Sequence, residues 1–567
     1  VLQHEPDRGT AVPVARAAVG ITEAEAVQAP WPDAEALVAL DLQQVRSPAR
    51  DRVPARHGRS DLERLSDRWR RLPLLGRLPL PLIATLIAQA ALSLRLIWSN
   101  TSFADESLYL WAGHLEWTHW MHGVPIGREG LSSYFSGAPE VYPPLGALAD
   151  SVGGLAGARL LSLVFMLGTT WLLYATTRRL FNPRSAVFAV GLFAGLGATQ
   201  LLGALATYDA MALFLLALAM WATVRAMACR TLLATLTLAS SAGAAMALAD
   251  AAKYAAALFD PVIVGVAALA LWRAAGRRRA MAGTSALLGV FVVLIAAGVR
   301  AGGHQLWTGI TRTTLTRPSG TDPVPAVLFH SGKWVGIVAV LAICGALAAG
   351  WSRGWHTRLF AALLAFATFV APVEQARIHT STSLFKHVGY GAWFGAIVAG
   401  YGLAALASAV PAAKARAADR VGAAAVTLAG VIGIALAGAH FAGWPNSSQM
   451  IAQIAPILSH TQCPCLATQS NTINYYLHEG SSAGELKNTF FFSYWDLRVR
   501  HDLSGTPGVQ AAIEAHYLHV VEIDPSQDAS SYGPIRHALE TAPGYRLAGT
   551  SPSGTQGEPT EIWVLGE

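Results

Sequence analysis

Residues 78–122 read LPLPLIATLIAQAALSLRLIWSNTSFADESLYLWAGHLEWTHWMH, and two physical environments meet within them. Up to Trp98 the stretch is apolar with a single charge, Arg95, and it is long enough to cross a bilayer, which takes roughly 20 residues. From Ser99 it turns polar and then aromatic. Phe103-Ala104-Asp105-Glu106 leads into Leu108, Tyr109, Trp111, Leu115, Trp117 and Trp120, with His114, Glu116, His119 and His122 among them. A segment of this kind lies in the membrane interface with its rings at headgroup level. Two carboxylates are therefore expected just past the end of a first span, at the membrane boundary.

The same apolar signal recurs along the chain, at 155–177, 185–206, 208–227, 231–250, 254–272, 281–300, 326–349, 359–373, 387–410 and 421–442. Together with 78–98 this predicts an α-helical polytopic membrane protein of about eleven spans. Composition agrees: 53% of the 567 residues are hydrophobic and only 13% charged, against about 25% charged in soluble chains. The mean hydropathy is +0.39.

Orientation follows from the Lys/Arg bias of short loops. With the N-terminus inside, the inner loops hold Arg178, Arg179 and Arg184; Arg225 and Arg230; Arg273 and Arg277 to Arg279; Arg353 and Arg358; and Lys414, Arg416 and Arg420. Every inner loop is basic. The net charge of +6 thus reflects membrane topology and not nucleic-acid binding. The predicted location is the plasma membrane, with the N-terminus cytoplasmic and the C-terminal region extracytoplasmic.

Three regions are expected. Residues 1–76 are rich in Arg, Ala, Pro and Asp, including Arg50, Arg52, Arg56, Arg59, Arg68, Arg70 and Arg71, and read as a disordered basic tail. No cleavable signal peptide is expected there. Residues 77–442 form the transmembrane region. Residues 443–567, beginning after Trp444-Pro445, are more polar and read as a small extracytoplasmic α/β domain. Its expected elements are strands at Phe490–Trp495, Tyr517–Ile523 and Glu561–Leu565 and a helix at Val509–His516. The four cysteines are Cys229, Cys344, Cys463 and Cys465, too few for a disulfide scaffold. Cys463 and Cys465 either close a very small ring or remain separate thiols; the two alone do not make a metal site.

The chemistry-capable residues gather in the outer loops. Asp105 can accept a proton from an attacking alcohol, or simply cap the interfacial helix, and both roles can coexist. His114, His119 and His122 fit an amphipathic interface better than a metal site. Tyr208-Asp209 sits at the outer end of the fourth span, and Asp250 and Lys253 at the outer end of the fifth, where they could neutralise each other three residues apart. Asp260 precedes Pro261 inside the sixth span, where the pair could help a kink. The outer loops also carry cations against the topological bias: Arg300, Arg312, Arg317, Lys333, Arg377 and Lys386. The densest group is Arg377, His379, Lys386 and His387, interleaved with hydroxyls. Anion binding explains such a group, since Arg grips phosphate bidentately and Lys as a point charge; anionic lipid headgroups are the alternative ligand. The Thr-rich loop Trp307–Ser319 has the composition of a lid.

These pieces in this order resemble the GT-C superfamily of membrane glycosyltransferases. They are similar to protein O-mannosyltransferases that use dolichyl-phosphate-mannose and to bacterial transferases that move aminoarabinose onto lipid A. The matching pieces are Asp105-Glu106, then Val141-Tyr142-Pro143-Pro144-Leu145-Gly146, then Tyr208-Asp209, over roughly residues 78–442. The resemblance implies that Asp105 is the base acting on the acceptor, with Glu106 placing that acceptor. It implies a polyprenyl-phosphate sugar donor, whose phosphate falls to Lys253, Arg377, His379, Lys386 and His387. Tyr142, Tyr208 and Asp209 fall to acceptor or sugar binding. This chain departs from those relatives at Tyr142, where they often carry Lys before the Pro-Pro pair, so other cations must hold the phosphate. No cofactor is required, although the carboxylates could hold a divalent cation. The C-terminal region resembles no named module.

The predicted function is inverting transfer of a sugar from a polyprenyl phosphate to an acceptor hydroxyl of a cell-surface glycan, lipid or protein. A transporter or flippase of lipid-linked sugars is the alternative. It predicts inverted repeats and ionisable residues near the bilayer midplane; no repeat is found, and most ionisable residues lie at the outer boundary. A scaffold that binds glycan through its tail would leave the membrane-embedded charges without a purpose.

Overall fold

The computed structural model describes residues 79–126, 131–133, 135–351, 354–409, 415–461, 463–477, 486–489, 492–553 and 558–566. The tail expected at 1–76 lies outside them. Each expected span coincides with helix. The helices are α1 (Leu80–Ile97), α2 (Ala104–His122), α3 (Pro143–Leu180), α4 (Pro183–Gly195), α5 (Gly197–Leu202), α6 (Tyr208–Ala226), α7 (Leu232–Ala252), α8 (Asp260–Ile310), α9 (Val324–Gly350), α10 (Trp355–Arg377), α11 (Leu384–Ala409) and α12 (Ala415–Phe441).

Among the described residues nine helical segments are long and apolar enough to cross a membrane as continuous pieces. Two local breaks explain why this count is below eleven. The expected span at 185–206 is divided at Leu196 into α4 and α5, each too short to qualify. The spans at 254–272 and 281–300 both lie in α8, which breaks at Gly276, with φ of 79°. There the chain folds back: a Cβ on Gly283 would lie 2.5 Å from the Leu271 side chain, so the two limbs of α8 run against each other. Only glycine takes this φ without strain. A similar break at Gly153 and Gly154 divides α3 into a short first limb and a long second one.

Prolines at the first helical turns set several entries, including Pro183, Pro261 and Pro325, where the missing N–H costs nothing. Of the nine membrane-length helices among the described residues, the most enclosed are α6, with 78% of its apolar window buried, and α11, with 83%. The site residues Asp209 and Lys386 sit in the first turns of these two.

After α12 the chain forms α13 (Ser448–His460) and a region built on a five-stranded sheet. Its members are β1 (Cys465–Ala467), α14 (Ser470–Leu477), β2 (Lys487–Asn488), β3 (Ser493–Asp496), β4 (His501–Ser504), α15 (Thr506–Glu514), β5 (Val520–Ile523), α16 (Ala529–Thr541), β6 (Tyr545–Ser551) and β7 (Thr560–Leu565). The sheet order is β2-β1-β5-β7-β6, with β2, β1 and β5 parallel and β7 antiparallel to both its neighbours. Strands β3 and β4 form a separate hairpin. The expected strands at Tyr517–Ile523 and Glu561–Leu565 and the helix at Val509–His516 are present with boundaries shifted by a few residues. Strand β6 and helix α16 were not foreseen. Cys463 and Cys465 are joined in a disulfide.

Candidate active site

The site lies at the end of the bundle that meets the sheet region, and a buried ion pair anchors it. Glu106 in the first turn of α2 is fully buried, as is Arg159 on the second limb of α3. The guanidinium donates to both carboxylate oxygens, from Nε at 2.8 Å and from Nη2 at 2.7 Å. Its remaining N–H groups reach the backbone carbonyls of Ile97, Asn100 and Thr101. Glu106 also accepts from the backbone N–H of Phe103 and of Ala206, at 2.8 and 2.7 Å. The end of α1, the start of α2, the second limb of α3 and the chain entering α6 are thus tied at one point. Glu106 is fully occupied by these bonds. The sequence expectation that it faces an acceptor is corrected: its geometry aims the first turn of α2.

That turn presents the neighbouring residue, Asp105, to the interior. The Lys386 ammonium, almost wholly buried at the start of α11, is paired with Asp105 Oδ2, while Asp105 keeps 31% of its side chain exposed. Lys386 Nζ also stands 5.5 Å from the Phe103 ring centroid and 5.7 Å from that of Phe385. Beside this pair is a second one. Lys253 Nζ lies 3.0 Å from Asp209 Oδ1, both side chains buried, and 4.5 Å over the Tyr208 ring. Tyr390 donates its hydroxyl to Asp209 Oδ1 at 3.3 Å. Asp209 Oδ2 is buried with no hydrogen-bond partner among the described residues. Lys253 acts electrostatically on Asp209, Lys386 and Asp105 together, so the two pairs form one alternating cluster of charges. Tyr109 closes one wall, its ring 4.2 Å from that of Tyr208.

The sequence expectation of a neutralising pair between Asp250 and Lys253 fails for a local reason. Helix α7 ends at Ala252, and Lys253 is extended, with φ of −154° and ψ of 116°. The three-residue helical spacing is lost, Lys253 swings to Asp209, and Asp250 faces Asp260 instead.

The remaining expected residues are spread out. His387 is half-buried, meets Gln375, and shares the field of Lys253, Asp209 and Lys386. Arg377 and His379 are not in the cluster: exposed Arg377 is held by Glu374 at 2.8 and 2.6 Å. His379 meets the Asp322 backbone carbonyl at 3.1 Å. Tyr142 is fully buried against Gly146, and burial pushes its phenol pKa up, so it is core packing and not a surface that meets a sugar. Of the interfacial histidines, His114 meets Asp150 at 2.8 Å and His119 the carbonyl of Val124 at 2.8 Å. Among the described residues no group of three or more His, Cys, Asp or Glu side chains is placed to hold a metal ion.

Sequence reasoning missed Arg159, although an arginine inside an apolar span marks a functional or structural partner. It also missed Tyr109 and Tyr390, which carry no signal in sequence beyond their ring.

A family model described as dolichyl-phosphate-mannose-protein mannosyltransferase matches residues 148–299, a stretch that holds Arg159, Asp209 and Lys253. No curated protein matches by sequence. Among solved structures, ArnT from Cupriavidus metallidurans in the apo state is similar with a TM-score of 0.57 at 14% identity, covering 85% of this chain and 97% of that one. The fold is that of the GT-C glycosyltransferases. ArnT bound to undecaprenyl phosphate gives a TM-score of 0.56 at 15% identity, with 85% and 97% covered. The Archaeoglobus fulgidus oligosaccharyltransferase in complex with Zn and sulfate gives 0.52 at 15% identity, with 86% of this chain and 73% of that chain covered. Among the described residues, nine helices long and apolar enough to cross a bilayer agree with this fold and with an integral membrane protein.

Proposed function

We propose that the chain is an inverting glycosyltransferase that moves a sugar from a polyprenyl phosphate to an acceptor hydroxyl, on the outer face of the plasma membrane. The observation that carries this reading is the alternating cluster of Asp105, Lys386, Asp209 and Lys253, in which a half-exposed carboxylate stands beside two buried ammonium groups. The similar fold of ArnT bound to undecaprenyl phosphate supports a lipid phosphate as the anion.

In the reaction, the acceptor oxygen attacks the sugar C1 from the side opposite the phosphate. The new C1–O bond forms as the C1–O bond to phosphate breaks, and the electron pair leaves with the polyprenyl phosphate. Asp105 takes the acceptor proton. Lys386 and Lys253 neutralise the charge that grows on the leaving phosphate, which is where fixed cations lower a barrier most. The arriving phosphate competes with Asp105 for Lys386, so donor binding frees the base. Lys386 thus replaces the lysine that relatives often carry at the position of Tyr142. Asp209 holds Lys253 in place, and its open Oδ2 can accept from a sugar hydroxyl. Glu106 and Arg159 position Asp105. No metal is needed; a divalent ion would have to displace a lysine from Asp105 or Asp209.

The basic loops support the orientation. Arg178, Arg179, Arg225, Arg230 and Arg277 to Arg279 lie at helix ends opposite the cluster, as expected for cytoplasmic loops. Residues 1–76 then form a cytoplasmic tail, 77–442 the membrane region, and 443–567 the outer domain.

The test is transfer of label from a radiolabelled polyprenyl-phosphate sugar by the purified protein. Asp105→Asn should abolish transfer at unchanged expression. Lipid-linked sugar that changes leaflet without being consumed would make the chain a transporter.

A further inference from the structure

Helices α3 and α6 pack side by side and end at the same level, α3 with Arg178 and Arg179 in its last turn and α6 with Arg225. On α3, Trp171, Tyr174 and Arg178 follow the i, i+3, i+7 spacing of one helix face, and on α6 Trp221 and Arg225 stand one turn apart. The rings of Trp171 and Trp221 meet at 6.4 Å. Together with Arg179 these side chains line a cavity of about 540 Å³, well inside the range of about 300–1,000 Å³ for small-molecule sites.

The cavity is remote from the charge cluster. Arg159, which anchors that cluster, and Arg178 lie on the same limb of α3, 19 positions apart. At 1.5 Å per residue the rise between them is about 28 Å, close to the roughly 30 Å of a bilayer's hydrocarbon core. The two sites therefore stand at opposite membrane boundaries. Within the cavity the indoles come first along α3 and α6, and the guanidiniums follow at the helix ends. The wall is apolar towards the bilayer and cationic at its boundary, the same polarity as an anionic lipid seated with its head at the arginines.

Loop bias accounts for arginine on this side of the membrane, and a helix C-terminus favours a cation beside it. Neither accounts for three arginines around one aromatic cavity. Arg178 and Arg225 both bear on Arg179 as like charges. Among the described residues no carboxylate pairs with any of the three. Two other arginines of this face are spent on the fold. Arg184 Nε donates to Asp419 at 3.0 Å, and Arg279 donates to the carbonyls of Cys229 and Arg230 at 3.1 and 3.0 Å. The sequence leading into Pro79, which also borders the cavity, is itself basic at Arg68, Arg70, Arg71 and Arg77. Charge complementarity thus points to an anion from outside the chain. Guanidinium takes phosphate oxygens bidentately, three such groups exceed the charge of one phosphodiester, and basic pockets between membrane helices on the cytoplasmic side take multiply charged lipid heads.

We propose that this cavity binds an anionic lipid of the cytoplasmic leaflet whose head carries two phosphates, with the head on Arg178, Arg179 and Arg225 and a chain along Trp171 and Trp221. The site does not depend on the chain's transferring sugar. Native mass spectrometry of the full-length protein, titrated in turn with cardiolipin, phosphatidylglycerol, phosphatidylcholine and inorganic pyrophosphate, tests it. Cardiolipin binds tightest, and pyrophosphate does not displace it. The triple substitution Arg178→Gln, Arg179→Gln, Arg225→Gln weakens cardiolipin at least about tenfold, the loss of one or more charge-assisted hydrogen bonds. The corresponding triple Arg→Lys variant, which keeps the loop charge and hence the topology, weakens it roughly fivefold because the bidentate fork is gone. Arg277→Gln with Arg278→Gln, on the same face but outside the cavity, leaves binding within twofold. Equal binding of cardiolipin and phosphatidylcholine overturns the proposal, as does displacement by pyrophosphate, which would make the ligand a free phosphate compound. Parent-like affinity in both triple variants, or an equal loss in the control pair, overturns it as well, since either leaves only the general charge of the inner loops.

Discussion

Lys386 is paired with Asp105 across 281 positions of sequence, and the ammonium is buried while the carboxylate is partly open. A buried ammonium needs a counter-charge at all times. In the free protein Asp105 supplies it; with donor bound, phosphate can. The pairing therefore links the arrival of the leaving group to the release of the base.

Lys386→Gln removes one phosphate partner and leaves Asp105 exposed enough to stay solvated. Transfer should fall roughly 10²–10³-fold, the usual loss for one group that stabilises transition-state charge. Thermal stability should change little by comparison. Steady-state kinetics with a polyprenyl-phosphate sugar, beside a melting curve in detergent, checks both.

Lys253→Gln should behave differently, because it removes the cation paired directly with Asp209 in the interior. Breaking one half of a buried pair costs about 3–5 kcal/mol. The double substitution Lys253→Gln with Asp209→Asn should recover most of the melting temperature and none of the activity. A double variant as unstable as the single one would show that the pair is not the source of the loss.

Arg159→Met should destabilise the fold by a similar amount, about 3–5 kcal/mol, since Glu106 is left buried and charged. Adding Glu106→Gln should restore part of it. Arg377→Ala, by contrast, removes only an exposed pair with Glu374, worth about 0–1 kcal/mol. Donor KM should stay within about twofold, and a larger rise would return Arg377 to the phosphate site.

A pH effect is expected in the sheet region. Burial, ahead of the nearby charge of Asp524, pushes the Glu522 carboxyl from 4.5 up to about 8. The folded state therefore keeps a proton that the unfolded chain loses above 4.5. Stability from this group is complete below that value and declines as pH rises towards about 8, beyond which it is gone. Glu522→Gln should flatten this part of the stability–pH profile, measured by the unfolding of the sheet region between pH 4.5 and 8.

The membrane architecture was legible because apolar length and loop charge are local signals. The cluster was legible only by residue type. Lys253, Lys386, Asp105 and Asp209 stood out as ionisable groups near span ends, but their pairing depends on packing α2, α6, α7 and α11 at one level. Glu106 was misjudged because its partner, Arg159, lies 53 positions away inside an apolar run. Arg377 looked equivalent to Lys386 in sequence. Helix α10 carries it to the surface with Glu374 one turn behind, whereas the first turn of α11 points Lys386 inward.

The most direct test is a cryo-EM map of the protein with a bound polyprenyl phosphate. The account predicts the phosphate within hydrogen-bond reach of both Lys386 and Lys253, with the Asp105 carboxylate released from Lys386. A phosphate held elsewhere, with Asp105 still on Lys386, would contradict it.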